Sequence, residues 1–337
     1  MSFHYERALP GGARLTLFTH DSRILRGNPL GDPALRHHPL LLPPGACAGL
    51  PLVLVLGGYT SFGHRVLNVD FLRENLPERT ARLMAQDRIP PAVFLWPSCE
   101  TRYGGSQYQN SAGTGHYEDL LRDELVPALE REHGCGGAGR RIVVGKSSGG
   151  YGALTLAMRN PGFFAAAGSH SGDMGFEFAC FSDLIGALQA WHRHGGPAAF
   201  LRALPGLRLD AQEFQAISLL ALAAVYSPNP RSPLGFDLPV DPENGALRSD
   251  VMERWFAHDP VRMAEDSHNT DALKQLRALY LDAGESDEYG LNWGLRRLSQ
   301  RLTAAAVPYR AEFFPGGHRD TDHRYEISLP YLLRALA

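Results

Sequence analysis

Arg140-Arg141-Ile142-Val143-Val144-Gly145-Lys146-Ser147-Ser148-Gly149-Gly150-Tyr151-Gly152-Ala153-Leu154 is the stretch on which the reading of this chain turns. Ile142 to Val144 is a short β-branched run and reads as a buried strand. It runs into Gly145-Lys146-Ser147-Ser148-Gly149. Tyr151 to Arg159, rich in Ala, Leu and Met, then reads as a helix stopped by Asn160-Pro161-Gly162. Strand, Gly-x-Ser-x-Gly and helix, in that order, are the setting of a nucleophile elbow. The chain turns so sharply at such a serine that bulky flanking residues would collide, which accounts for Gly145 and Gly149. Ser147 stands at the apex, its hydroxyl projecting above the N-terminus of the next helix.

Two rival readings are weaker. A phosphate-binding Gly-x-x-x-x-Gly-Lys-Ser loop needs glycine at position 140, which is Arg140, and would make a loop of the strand-like Ile142 to Val144. A plain glycine-rich turn without chemistry fits the motif alone, which recurs by chance, but not its context and downstream partners. Among the serines, Ser148 would need small residues at 146 and 150, and Lys146 is long. Ser169 and Ser171 follow a strand-like Phe163 to Ala167, but no clear helix comes directly after.

Outward from the elbow, the chain of 337 residues is long enough for one large domain or two modest ones. With 44% hydrophobic and 20% charged residues it has an ordinary globular composition. A net charge of −3 offers no basic footprint for nucleic acid or an anionic membrane. The first residues, Met1 to Arg7, lack a signal peptide's basic start and apolar core. No apolar run is long enough to span a bilayer. Cys47, Cys99, Cys135 and Cys180 are scattered, as buried thiols are, so the cytoplasm is the expected compartment. The fourteen histidines include no His-Glu-x-x-His helix. His192-x-His194 and His37-His38 sit in polar or Pro-rich surroundings and read as surface residues. No metal and no cofactor is expected.

Upstream, residues 1–50 read as edge strands and connections, with a partial apolar–polar alternation at Arg14 to Phe18 and a short apolar run at Leu40 to Leu42. Leu52 to Leu56 is uniformly apolar, as a strand buried on both faces should be. It ends in Gly57-Gly58-Tyr59, where glycines let the backbone approach a ligand. A helix is expected from Pro77 to Gln86, a buried strand from Ala92 to Trp96, and a long glycine-rich loop from Ser98 to Gly115. His116 to His133 carries Leu121, Leu125 and Leu129 at i,i+4 spacing, with a kink at Pro127. Alternating strands and helices mean a parallel sheet covered on both faces, with ligands at the strands' C-terminal ends. From Asp173 to about 270 helical periodicity takes over, at Phe181 to Arg193 and Ala211 to Tyr226, then a Pro-rich passage. That segment reads as a cap-like insertion into one α/β domain spanning 1–337. The alternation resumes with a strand at Ala278 to Asp282, a helix at Leu291 to Ala305, a strand at Tyr309 to Phe314 and a last helix at Glu326 to Leu336.

A serine hydroxyl needs a base, and the base an orienting acid. In doubly wound folds these follow in the order serine, acid, histidine, each after a strand. After Leu279-Tyr280-Leu281 comes Asp282-Ala283-Gly284-Glu285-Ser286-Asp287-Glu288, and after Phe313-Phe314 comes Pro315-Gly316-Gly317-His318. His318 is the base these positions favour. Asp287 is the favoured acid, because a few residues beyond the strand give it reach. Asp282, Glu285 and Glu288 stay open as competitors.

The elbow, Gly27-Asn28-Pro29-Leu30-Gly31-Asp32-Pro33, Leu56-Gly57-Gly58-Tyr59, Gly104-Gly105-Ser106-Gln107-Tyr108, Gly284-Glu285-Ser286-Asp287-Glu288-Tyr289 and Gly316-Gly317-His318 together resemble the esterase D-like branch of the α/β-hydrolases. That branch includes S-formylglutathione hydrolases, enterochelin esterases and mycolyltransferases. The resemblance covers most of the chain, leaving 173–260 unplaced. It implies an α/β-hydrolase fold, a Ser147–Asp287–His318 triad, and an oxyanion hole of the Tyr59 and Ser148 amides. The implied activity is hydrolysis of a small or medium carboxylic ester through an acyl-enzyme. Thioester cleavage, acyl transfer and a non-catalytic binding role are the alternatives. The cap-like insertion departs from the formylglutathione enzymes, so their substrate does not carry over. Gly58, Gln107 and Trp293 are expected around the substrate, with Glu100 and Arg102 as further positional guesses. The acyl and alcohol groups are undetermined, and a homo-oligomer is left open.

Overall fold

The computed structural model describes residues 5–61 and 63–336; the reading of the first residues therefore falls partly on positions 1–4, outside the described residues. Nine described strands form one sheet: β1 (Glu6–Ala8), β2 (Arg14–Asp21), β3 (Leu35–Leu42), β4 (Leu52–Leu56), β5 (Val93–Leu95), β6 (Arg141–Lys146), β7 (Ala166–His170), β8 (Ala278–Gly284) and β9 (Arg310–Phe314). Their order is β1-β2-β3-β5-β4-β6-β7-β8-β9. The six strands from β5 to β9 in that order are parallel, and β1 to β3 extend one edge antiparallel.

Both faces of the parallel part are covered. Leu52, Leu54 and Leu56 of β4 enter one core, while Val53 and Val55 enter the other. This is the alternation of a pleated strand with apolar residues on both sides. On the first face lie α2 (Val126–His133), α3 (Ser148–Arg159) and α6 (Leu291–Ala304); on the second lie α1 (Leu76–Ala85) and α7 (Tyr325–Arg334). Each fully buried Leu or Val side chain contributes about 1.5–3 kcal/mol here. α1 starts as its sequence directs: Asn75 and Glu78 form a capping box, and Pro77 sits in the first turn. The helix ending at His133 is not simply kinked at Pro127. Its turns widen to π geometry over Leu120–Leu125, directly before the segment that Pro127 opens.

Residues 173–270 are mainly helical. α4 (Leu184–His194) and α5 (Ala211–Tyr226) pack together around a third apolar cluster holding Trp191, Phe200, Leu220 and Trp255. Asp210 caps α5 by accepting from the Glu213 amide. Asp259 anchors the returning chain by accepting from the amides of Gly175 and Phe176.

Two sequence expectations need correction. His38 is not on the surface: it lies fully buried in β3 and accepts a 2.9 Å hydrogen bond from the Ser98 amide. Burial holds its imidazole well below the ordinary range. Nor is 98–115 all loop, since Asn110–Ser111 pairs with Gly115–His116.

Candidate active site

β4, β6, β7, β8 and β9 all end on the same edge of the sheet, with Leu56 beside Gly145, Lys146 beside His170 and Gly284 beside Phe314. At the end of β6 the backbone of Ser147 takes φ 56° and ψ −126°, a conformation that side chains rarely adopt. Its amide donates to the His170 carbonyl and its own carbonyl accepts from the Tyr151 amide, so the strain is held from both sides. The flanking glycines are a steric requirement. A Cβ on Gly145 would come within 2.4 Å of Gly149 backbone atoms, and one on Gly149 within 2.0 Å of the Leu56 carbonyl oxygen.

The loop after β4 leans on this turn: a Cβ on Gly58 would stand 3.2 Å from that of Ser147. Two tyrosine hydroxyls tie it to the 98–115 segment, Tyr108 donating to the Gly57 carbonyl at 2.7 Å and Tyr59 to the Tyr103 carbonyl at 2.6 Å. Tyr108 in turn occupies the place where Gly152 lacks a side chain; a Cβ there would lie 2.5 Å from the ring. Backbone amides of Ser148 and Tyr59 thus belong to the two segments that meet at Ser147.

His318 arrives from the turn after β9. Its Nε2 lies 3.0 Å from Ser147 Oγ and its Nδ1 2.9 Å from Asp287 Oδ2. The Asp287 side chain is fully buried. Glu288, also weighed as the acid, instead accepts from the His318 amide at 2.7 Å, and that bond holds its carboxyl below the usual range. Glu285 is exposed. Asp282 is committed elsewhere: it meets His170 Nδ1 at 2.9 Å and accepts from Arg324 Nε at 2.8 Å. His170 Nε2 is 2.8 Å from Ser328 Oγ. This second serine–histidine–aspartate row is buried throughout, and none of its three residues lines the cavity into which Ser147 opens. Burial raises the Asp282 carboxyl, but His170 and Arg324 outweigh it and hold it low.

Ser147 and His318 open into a cavity of about 430 Å³, the size of a small-molecule site. Gly58, Tyr59, Gln107 and Ser148 line it. Trp293 does not: it is 56% exposed on α6, in a shallow surface groove beyond Tyr289. Glu100 and Arg102 also lie outside, Glu100 against Arg36 and Arg102 on the Asp32 turn. The sequence reading missed Asp173, whose Oδ1 lies 3.4 Å from Ser147 Oγ and whose Oδ2 accepts from Gln107 Nε2 at 3.1 Å. Its only sequence signal is its place just past β7, next to the elbow strand. Lys146 also faces the cavity, its ammonium lowered by burial and partly restored by Asp322, Asp320 and Asp287. Among the described residues no three His, Cys, Asp or Glu side chains gather to hold a metal, and no helix is long and apolar enough to cross a membrane.

Residues 36–331 match the family described as "Putative esterase". No curated protein matches the chain in sequence. Solved structures share the fold. A ferulic acid esterase is 17% identical with a TM-score of 0.63, covering 96% of this chain and 98% of its own. An S-formylglutathione hydrolase from Agrobacterium tumefaciens is 15% identical with a TM-score of 0.60, covering 99% of each. A CE1 ferulic acid esterase from Anaeromyces mucronatus is 11% identical with a TM-score of 0.56, covering 100% of this chain and 93% of its own. The family match spans the sheet from β3 to β9 and both loops that reach Ser147, so this chain belongs to the esterase family and is a serine esterase of the α/β-hydrolase fold.

Proposed function

We propose that Ser147, His318 and Asp287 act as a catalytic triad on a small or medium carboxylic ester. The unbroken line of hydrogen bonds from Asp287 through His318 to Ser147 carries this reading. His318 Nε2 takes the Ser147 proton as Oγ attacks the ester carbonyl. Asp287 fixes the ring's tautomer and stabilises the imidazolium that forms. The Ser148 and Tyr59 amides receive the oxyanion, each donor contributing about 3 kcal/mol to transition-state stabilisation. The tetrahedral intermediate collapses, His318 protonates the departing alcohol, and an acyl-Ser147 ester remains. His318 then removes a proton from water, which attacks that ester, and returns the proton to Ser147 Oγ as the acid is released.

No residue in this scheme calls for a metal or cofactor. The cavity volume suits a small or medium acyl group. Residues 173–270 serve in this account as a cap on the domain, since Phe176, Cys180, Phe214 and Leu222 supply its cavity wall. Turnover of p-nitrophenyl acetate tests the reading. Release of p-nitrophenolate is expected from the parent and not from Ser147→Ala; equal rates from both would refute it.

A further inference from the structure

One wall of the Ser147 cavity carries two carboxyl groups, Asp173 and Asp183, that no lysine or arginine among the described residues pairs with. Asp173 accepts from Gln107 Nε2 and, at 3.2 Å, from Ser148 Oγ, and its Oδ1 stands 3.4 Å from Ser147 Oγ. Asp183 lines the same cavity from the turn before α4, held by Gln215 and Ser218. Among the described residues neither joins an ion pair, and the cations of the cavity are placed elsewhere. Lys146 is drawn to Asp322, Asp320 and Asp287, and Arg65 stands on the 63–67 turn beyond the β4 loop. Burial raises both carboxyl groups, Asp183 to about 6; hydrogen bonds from Gln107 and Ser148 and the nearby charge of His318 offset it only in part at Asp173. A carboxylate that water reaches only in part is favoured as an ion by hydrogen bonds and by a partner charge. Here the open partner position is the cavity itself.

The direction of the substrate follows from the chemistry. The leaving alcohol takes its proton from His318 and so must face that ring. The acyl group is left to the cap wall, where Asp173, Asp183, Phe214 and Leu222 stand. A substituent on the acyl α-carbon lies two bonds from the attacked carbon. A carboxyl oxygen 3.4 Å from Oγ is therefore within hydrogen-bond reach of it. A bare carboxylate at that place also opposes the oxyanion by like-charge repulsion, and a bound ammonium cancels it.

Resting on the assignment of Ser147 as nucleophile, we propose that Asp173, seconded by Asp183, determines specificity by binding a protonated amine on the acyl part of the substrate. The esters favoured are then those of amino acids rather than of neutral acids of the same shape.

The test compares isosteric pairs by pH-stat near neutral pH: methyl glycinate against methyl propanoate, and methyl L- and D-alaninate against methyl 2-methylpropanoate. The expected result is a kcat/KM about 10- to 100-fold higher for the ammonium member. In Asp173→Asn that ratio falls towards one, and in Asp183→Asn it falls part of the way. A parent ratio of one or less, or a ratio unchanged in folded Asp173→Asn, overturns the proposal. If Asp173→Asn does not fold, the parent alone decides: propylammonium is expected to compete with ester better than 1-propanol, and equal inhibition overturns the amine subsite. Absence of turnover on both members and on p-nitrophenyl acetate overturns the Ser147 assignment, and this proposal with it.

Discussion

Ser147 holds a backbone conformation that costs about 1–3 kcal/mol in any residue with a side chain. Replacing it separates strain from chemistry. Both Ser147→Ala and Ser147→Gly are expected to lose kcat by about 10⁴-fold or more. Ser147→Gly is nonetheless expected to melt at the higher temperature of the two, despite glycine's larger chain entropy, and calorimetry on the pair checks this. The two buried aspartates at the end of β8 make a sharper contrast. Asp287→Asn is expected to fold normally and lose kcat about 10⁴-fold, because His318 then presents the wrong tautomer. Asp282→Asn leaves His170 and Arg324 without their shared acceptor charge and is expected to cost about 3–5 kcal/mol of stability. Denaturant melts and active-site-normalised rates on the two variants distinguish these outcomes. Spacing could favour Asp287 but could not exclude Asp282, since both follow the same strand. Only the fold shows that a second histidine claims Asp282. Asp173 escaped notice for a related reason: an acid after Ser171-Gly172 looks like any loop acid until β7 is seen beside β6.

At the scale of the elements, the elbow leaves least room for change. Gly145→Ala and Gly149→Ala would each drive a Cβ into backbone that cannot yield. Each is expected to abolish soluble folded protein or lower stability by more than about 3 kcal/mol, measured by denaturant melts. α7 is clamped to α1 by Glu326, which pairs with Arg79, with Arg82 at 2.7 Å and with Arg88 at 2.6 Å. Burial alone would raise its carboxyl, but the three guanidiniums hold it at about 2 against an ordinary 4.5. A carboxyl lowered in the folded state adds stability that is complete above pH 4.5 and drains away as pH falls towards about 2. Glu326→Gln is therefore expected to lower Tm by roughly 2–6 °C at neutral pH, with the gap to the parent closing in that acid window. Strands β4 and β6, α5 and α6 were legible because their apolar patterns have a single solution. The edge was less so: β3 carries Arg36, His37, His38 and Pro39, whose polarity hid a strand that buries His38.

For the whole molecule, five strand ends on one edge turn a one-dimensional order of serine, acid and histidine into a site. That order was readable because each residue follows an apolar strand, and parallel strands place such positions together. The cavity's far wall was not readable. It comes from helices between 173 and 226 whose amphipathic pattern states only that they pack, not which residue faces Ser147. Trp293 shows the same limit, lying close to Asp287 in sequence yet on the outer side of α6. The central claim is that one hydroxyl, activated by His318, is the nucleophile. Its most direct test is the intact mass and peptide map of the folded protein after a fluorophosphonate. One adduct on the peptide carrying Ser147 is expected, slowed strongly in His318→Ala and absent in Ser147→Ala; an adduct elsewhere, or one that persists in Ser147→Ala, would contradict it.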